Sequence, residues 1–203
     1  MSALRFTVAA DRCLEITPEV VALLRSYAQH DPEALEAGGL LLGRLSEGNH
    51  LLTIERVTEP LPGDVRTRRT FERNDPGHGL SCQRAWEASG GQVACWGDWH
   101  THAEPRPTPS ADDMESWRAD AARADCSFAL IVGTEEIRVW EVRRDGAVRR
   151  LEPAFLECVS CDETVPAAEA SERGWRSQTD TDGEPAARCP ECQKSLEGPE
   201  GWP

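Results

Sequence analysis

Hydrophobic positions in the first 153 residues switch between two periods. Leu4-Arg5-Phe6-Thr7-Val8 repeats every second residue, as a half-buried strand does. Val20, Val21, Leu23, Leu24 and Tyr27 then recur at helical spacing. Thr17 stands as N-cap, Pro18 sits in the first turn and Asp31-Pro32 stops the run, which predicts a helix over 18–30. Leu40-Leu41-Leu42, bounded by Gly38, Gly39 and Gly43, reads as a buried strand. Further strands are predicted over 51–59, 70–73 and 92–102, and helices over 80–89 and 111–122. Three closing strands follow over 127–132, 136–143 and 148–153, with Asp145-Gly146 as a hairpin turn. This order predicts an α/β domain over 1–153, a mixed central β-sheet flanked by helices.

Charge and composition narrow the function classes. The chain has 203 residues, with 22 Lys+Arg against 36 Asp+Glu and a net charge of −14. That balance argues against nucleic-acid binding, which draws on basic patches. No apolar run is long enough for a membrane span. Met1 to Arg12 lacks the basic-then-apolar layout of a signal peptide. The expectation is a cytoplasmic protein with neither nucleic acid nor membrane as partner. In that compartment Cys13, Cys82, Cys95 and Cys126 are expected as small buried side chains. His78 lies just ahead of a predicted helix, where a lone histidine is more often a capping or surface residue than a ligand, and it is assigned no role. Arg66, Arg68 and Arg69 make a basic loop, either solvated or gripping an acidic stretch of a substrate.

The densest chemistry lies in Asp98-Trp99-His100-Thr101-His102 and, seven residues on, Ser110-Ala111-Asp112-Asp113. Side chains two apart on a strand share a face, so His100 and His102 project together. Asp113, in the first turn of the next helix, can add a carboxylate. Two imidazoles and one carboxylate leave a fourth position open, the pattern of a catalytic rather than a structural zinc site. Ser110 and Asp113 also form a capping pair, a role compatible with ligation because it fixes the carboxylate.

The pattern His-x-His-x7-Ser-x2-Asp resembles the metal signature of the JAMM (MPN-plus) metalloproteases, and Glu36 in Glu-Ala-Gly-Gly-Leu-Leu-Leu-Gly sits where that family keeps its catalytic glutamate. The likeness covers about residues 1–153. Gly97-Asp98-Trp99-His100 and Pro107-x-Pro109-Ser110 look most like bacterial deconjugases found in defence operons with E1-like and E2-like enzymes. Asp98 stands where that subgroup usually has glutamate, and Ala103 where proline usually follows the second histidine. The resemblance implies Zn2+ at His100, His102 and Asp113, Glu36 as general base and Ser110 as oxyanion donor. It also implies cleavage of the amide bond after the C-terminus of a ubiquitin-like protein or of a protein conjugated through its own C-terminus. Its alternatives are processing of a ubiquitin-like or sulfur-carrier precursor, and a non-catalytic MPN scaffold.

After Pro153 the composition shifts. Cys158-x2-Cys161 and Cys189-x2-Cys192 are separated by 27 residues, and four thiolates in two knuckles suit a second, structural zinc. Residues 154–203 are therefore expected to form a zinc-ribbon-like domain with a flexible insert at about 167–187, either structural or a docking module. Residues 152–203 hold 12 acids against 4 bases.

Overall fold

The computed structural model describes residues 3–121, 126–158, 160–161, 163–167, 170, 173–179 and 185–197. Its contacts divide the chain into Met1–Glu152 and Pro153–Pro203. The first unit carries strands β1 (Leu4–Ala9), β2 (Arg12–Ile16), β3 (Gly38–Leu45), β4 (Leu51–Val57), β5 (Val65–Arg66), β6 (Phe71–Glu72), β7 (Val93–Thr101), β8 (Cys126–Val132), β9 (Ile137–Arg143), β10 (Val148–Arg150) and the short β11 (Glu152–Pro153). Its helices are α1 (Pro18–Ser26), α2 (Gly77–Ala88) and α3 (Ala111–Ala121).

One nine-stranded sheet runs β10-β9-β8-β7-β3-β4-β2-β1-β11, while β5 and β6 pair separately. The sheet is mixed: β3 is antiparallel to β4 and β7, whereas β7 and β8, and β2 and β4, run parallel. Side-chain alternation gives it two faces. Val20, Val21 and Leu24 of α1 pack with Ile16, Leu41, Ile54, Trp99 and Leu130 on one. On the other, Ala85 of α2 packs with Leu42 and Val93, and Trp117 and Ala121 of α3 pack with Ala129, Ile131 and Trp140. The result is helices on both sides of a sheet whose centre is β3 and β7.

Helix α1 starts as expected, with the Thr17 hydroxyl accepting from Val20 N at 3.4 Å, but ends at Ser26 rather than His30. Strand β2 was not expected; it forms a hairpin with β1 and supplies Leu14 and Ile16 to the core. The third helix is described only to Ala121, so Ala122 lies outside the described residues. In β7 the register shifts: Leu41 faces Gly97 but Leu42 faces Cys95, so Trp96 is an extra residue. The bulge needs glycine at 97, where φ is +145° and a Cβ would lie 1.8 Å from the Phe128 carbonyl oxygen.

His78 is not a surface residue. It is 2% exposed, with Nδ1 2.6 Å from the Thr58 hydroxyl and Nε2 2.9 Å from Asp64 Oδ2. Burial would raise the Asp64 carboxyl, but hydrogen bonds from Leu61 N, His78 and Asp75 N outweigh it and hold it below the usual range. His78→Ala removes one hydrogen bond from each of two enclosed side chains, Thr58 and Asp64, and is expected to cost about 3 kcal/mol in urea unfolding. A depressed carboxyl stabilises above its unfolded value and loses that contribution as pH falls through the folded one. Wild-type stability should therefore fall more steeply on acidification than that of the variant.

In the C-terminal unit, β12 (Phe155–Glu157) pairs with β13 (Thr164–Pro166), and β14 (Arg176–Thr179) with β15 (Pro185–Arg188); helix α4 (Pro190–Glu197) follows. The expected flexible insert thus contains a strand pair, while 168–169, 171–172 and 180–184 lie outside the described residues. Val165, Ala170, Trp175 and Ala187 gather around Cys158 and Cys189 as a small core.

Candidate active site

β7 delivers His100 and His102 from one face, and the first turn of α3 delivers Asp113. The two Nε2 atoms are 3.0 Å apart. Asp113 Oδ1 lies 3.2 Å from His100 Nε2 and Oδ2 lies 3.4 Å from His102 Nε2. One ligand atom from each of the three residues lies within 4.8 Å of the others, so the group could hold a metal ion. Facing imidazole nitrogens at this separation either share a proton or look toward a common cation.

The capping pair is present and fixes the carboxylate. Ser110 donates to Asp113 Oδ2 from its N at 2.7 Å and from its hydroxyl at 2.6 Å, and that hydroxyl accepts from Asp113 N at 3.1 Å. Burial would raise the Asp113 carboxyl, but hydrogen bonds from His100, His102 and Ser110 outweigh it and hold it far below the usual range. Burial pulls His102 down, yet its hydrogen bond and charge interaction with Asp113, with Glu36 and Glu104 behind, raise it overall. The ionised Asp113 carboxylate suits a divalent cation, which would bind His102 only as the neutral imidazole and so displace its proton.

Glu36 enters the same cavity, of about 890 Å³, from the segment leading into β3. Gly38 pairs with His100, so the strand brings Glu36 toward the His102 end of the site. The backbone there is tightly held. Glu36 N donates to Thr67 O at 2.7 Å, Arg66 Nε donates to Glu36 O at 2.6 Å, and Ala37 N donates to the Thr101 hydroxyl at 3.0 Å. The Thr101 hydroxyl donates to Gln29 Oε1 at 3.3 Å, and Gln29 Nε2 donates to Ala34 O and Arg68 O, each at 3.0 Å. Glu36 is 5% exposed. Burial pushes its carboxyl up to about 7, against the pull of His100 and His102 and with a smaller push from Asp113. A carboxyl poised there can both take and return a proton near neutrality.

Two of the loop arginines are not free rim cations. Arg66 also reaches Leu35 O at 3.3 Å, and Arg68 Nη1 donates to Asp31 O at 3.0 Å, so both brace the Glu36 segment. Phe71 covers Gly38, where a Cβ would sit 2.3 Å from its ring. The wall continues through Arg73, Asp98 and Asp120. Burial raises the Asp98 carboxyl, and its Oδ1 has no hydrogen-bond partner among the described residues. Of the bracing residues, Gln29 and Thr101 carried no local signal and Arg66 was read only as part of a basic loop; each has a partner at least thirty residues away in sequence.

In the C-terminal unit, Cys158, Cys161, Cys189 and Cys192 form a second group that could hold a metal. Cys161 and Cys189 sulfurs are 3.7 Å apart. Cys189 N donates to Cys158 Sγ at 3.4 Å, the backbone-to-sulfur bond of a knuckle.

The fold and the histidine–aspartate cluster together define a chain of the JAB/MPN class. It belongs to the family of prokaryotic homologs of the JAB domain, whose model matches residues 17–143. It is 34% identical over 140 residues to a protein of Vibrio cholerae named CD-NTase/cGAS isopeptidase, across 69% of this chain and 88% of that one. Proteins of the same name from Pseudomonas aeruginosa and Escherichia coli are 38% and 36% identical over 129 and 137 residues, covering 62% and 68% of this chain and 80% and 86% of theirs. Since 140 residues already make up 88% of the Vibrio cholerae relative, it has no room for a second unit the size of Pro153–Pro203. No helix among the described residues is long and apolar enough to cross a membrane.

Proposed function

We propose that this chain is a zinc-dependent isopeptidase that removes a protein conjugated through its C-terminus, a ubiquitin-like protein or one joined in the same way, from a target amine. The observation that carries this reading is the placement of Glu36, a buried carboxyl poised near neutrality, in one cavity with His100, His102 and Asp113. A structural metal needs no proton carrier; hydrolysis of an amide does. The relatives' printed name supports the bond type.

The donor set of two imidazoles and a carboxylate fits Zn2+ with a position left open. When bound, zinc supplies Lewis acidity and makes water nucleophilic near neutral pH. Glu36 takes the proton of the attacking water and hands it to the leaving amine nitrogen. Ser110 orients Asp113 in the resting site. Its N–H keeps that carboxylate oxygen while the hydroxyl turns to the oxyanion of the tetrahedral intermediate. Trp117, 4% exposed, backs His100 with ring centroids 6.2 Å apart and keeps that side dry. The two catalytic parts, ligand cluster and proton carrier, belong to residues 1–153. In the C-terminal unit a second zinc on the four cysteines is structural. Tetrahedral sulfurs at about 2.3 Å from zinc lie about 3.8 Å apart, close to the 3.7 Å between Cys161 and Cys189. E1-like and E2-like conjugating enzymes would make the bond that this site breaks.

The test incubates zinc-replete protein with a panel of proteins joined through their C-termini to a lysine side chain, read by intact mass. Release directly after the C-terminal residue is expected, lost on chelation and restored by zinc. Cleavage indifferent to chelation, or none by protein shown to hold two zinc ions, would overturn the proposal.

A further inference from the structure

Beyond the metal site, the face of β7 between α2 and α3 carries a second reactive cluster. Cys82 on α2 and Cys95 on β7 were both expected as buried side chains. Instead Cys95 is exposed and Cys82 partly so. Cys95 stands beside the bulge, opposite Leu42, whose cluster Cys82 joins. Residues opposite one another in an antiparallel pair share a face, so Cys95 lies with Leu42 on the side of the sheet where Ala85 and Cys82 of α2 pack; the two thiols interact, and the Arg73 guanidinium acts on both. Arg73 also faces Asp120, at 3.9 Å, and Asp98.

We propose that Cys82 and Cys95 form a dithiol that hydrogen peroxide oxidises to a disulfide, a modification site separate from the C-terminal cysteine cluster. The two thiols differ in the way such a pair requires. Interaction with the Cys82 side chain lowers Cys95 to about 7, against burial and the charge of Asp98 and with help from the Gly97 backbone and Arg73. The same interaction, with burial, raises Cys82 well above the ordinary thiol range. Cys95 is therefore the thiolate that attacks, and Cys82 stays protonated and in contact as the thiol that resolves.

The chemistry balances in two steps. The Cys95 thiolate bonds to one peroxide oxygen, the O–O bond breaks and hydroxide leaves; Cys95 becomes a sulfenic acid. The Cys82 sulfur then attacks the Cys95 sulfur, the S–O bond breaks, and the departing hydroxyl leaves as water with the Cys82 proton. Two thiols lose two electrons and the peroxide is reduced to two waters, counting the proton that Cys95 gave to solvent. A dithiol reductant reverses the change. The disulfide would join α2 to the bulged strand five residues before His100. It also removes the thiolate that faces Arg73, leaving that cavity-wall cation to Asp98 and Asp120.

The test treats full-length, zinc-loaded protein with substoichiometric hydrogen peroxide at pH 7, alkylates, and maps unreduced peptides by mass. The expected product is a Cys82–Cys95 linked peptide pair, 2 Da lighter than the two thiols, formed while the four C-terminal cysteines still alkylate. In Cys82→Ser the Cys95 sulfenic acid should persist and be trapped by dimedone; in Cys95→Ser, Cys82 should remain a thiol. Alkylation of Cys95 by N-ethylmaleimide should exceed that of a free cysteine by about threefold, the larger thiolate fraction being partly offset by lower nucleophilicity. A peroxide-treated protein in which Cys82 and Cys95 both remain thiols, or both over-oxidise without linking, would overturn the proposal.

Discussion

Glu36→Gln is expected to lower isopeptide cleavage by about 10²–10⁴-fold, the range that a positioned proton carrier contributes. Fold and zinc content should be unchanged. The amide is nearly isosteric, and the backbone at 36 is held by Thr67, Arg66 and the Ala37–Thr101 hydrogen bond rather than by the side chain. What the amide cannot do is accept a proton from water and release it to a leaving nitrogen. The same residue makes a second, independent mark on stability. In metal-free protein, burial raises the Glu36 carboxyl to about 7, so the folded state holds this proton more tightly than the unfolded chain. Its contribution is then greatest at low pH and is lost as pH rises through the folded value. Metal-free wild type should lose stability between pH 5 and pH 8 relative to Glu36→Gln, as read from urea midpoints. Zinc reverses the sense, because a nearby dication favours the carboxylate; the acid limb of the wild-type rate profile should lie below pH 7. Full activity in Glu36→Gln would place the proton carrier elsewhere.

The parts of the site legible in the sequence are those in which local spacing and geometry coincide. His100 and His102 are two apart on a strand, and Ser110 and Asp113 three apart at a helix start, so each pair meets wherever the chain goes afterwards. Glu36 is different. Its side chain carries no periodic signal, and only its setting among glycines, together with the family likeness, singled it out. Its burial depends on Gln29, Thr101 and Arg66, which arrive from the segment after α1, from β7 and from the 65–72 hairpin. His78 misled for the same reason: a lone histidine before a helix looks solvated until Thr58 and Asp64 close on it. Cys82 and Cys95 were misread because cysteine is usually buried, and whether two thiols meet depends on how α2 crosses β7. Strand β2 was missed because Arg12-Cys13-Leu14-Glu15-Ile16 is short, and only pairing with both β1 and β4 makes it a strand.

Cys189→Ser is expected to unfold the C-terminal unit while Met1–Glu152 stays folded. Among the described residues the apolar core there is Val165, Ala170, Trp175 and Ala187 packed on Cys158 and Cys189. Ordering each residue costs roughly 1.2–2 kcal/mol, so a core of this size cannot order some fifty residues alone. Zinc on four thiolates contributes about 10–16 kcal/mol in small metal-folded units, and that free energy is folding free energy. Cys189 is the most enclosed of the four cysteines, being 0% exposed, with a sulfur 3.7 Å from that of Cys161 and a backbone N–H on the Cys158 sulfur. Serine in its place removes a thiolate and leaves a hydroxyl inside the core. Hydrogen exchange separates the outcomes. Protection of the Trp175 and Gln193 amides, which bond Ala170 O and Cys189 O, should disappear in the variant and in chelated wild type. Protection along β7 and β8 should remain. If those two amides stay protected after one zinc per chain is lost, the unit folds by its packing and the four cysteines are not its keystone. If they lose protection together with β7, the two units unfold as one and the division at Glu152 is not a folding boundary.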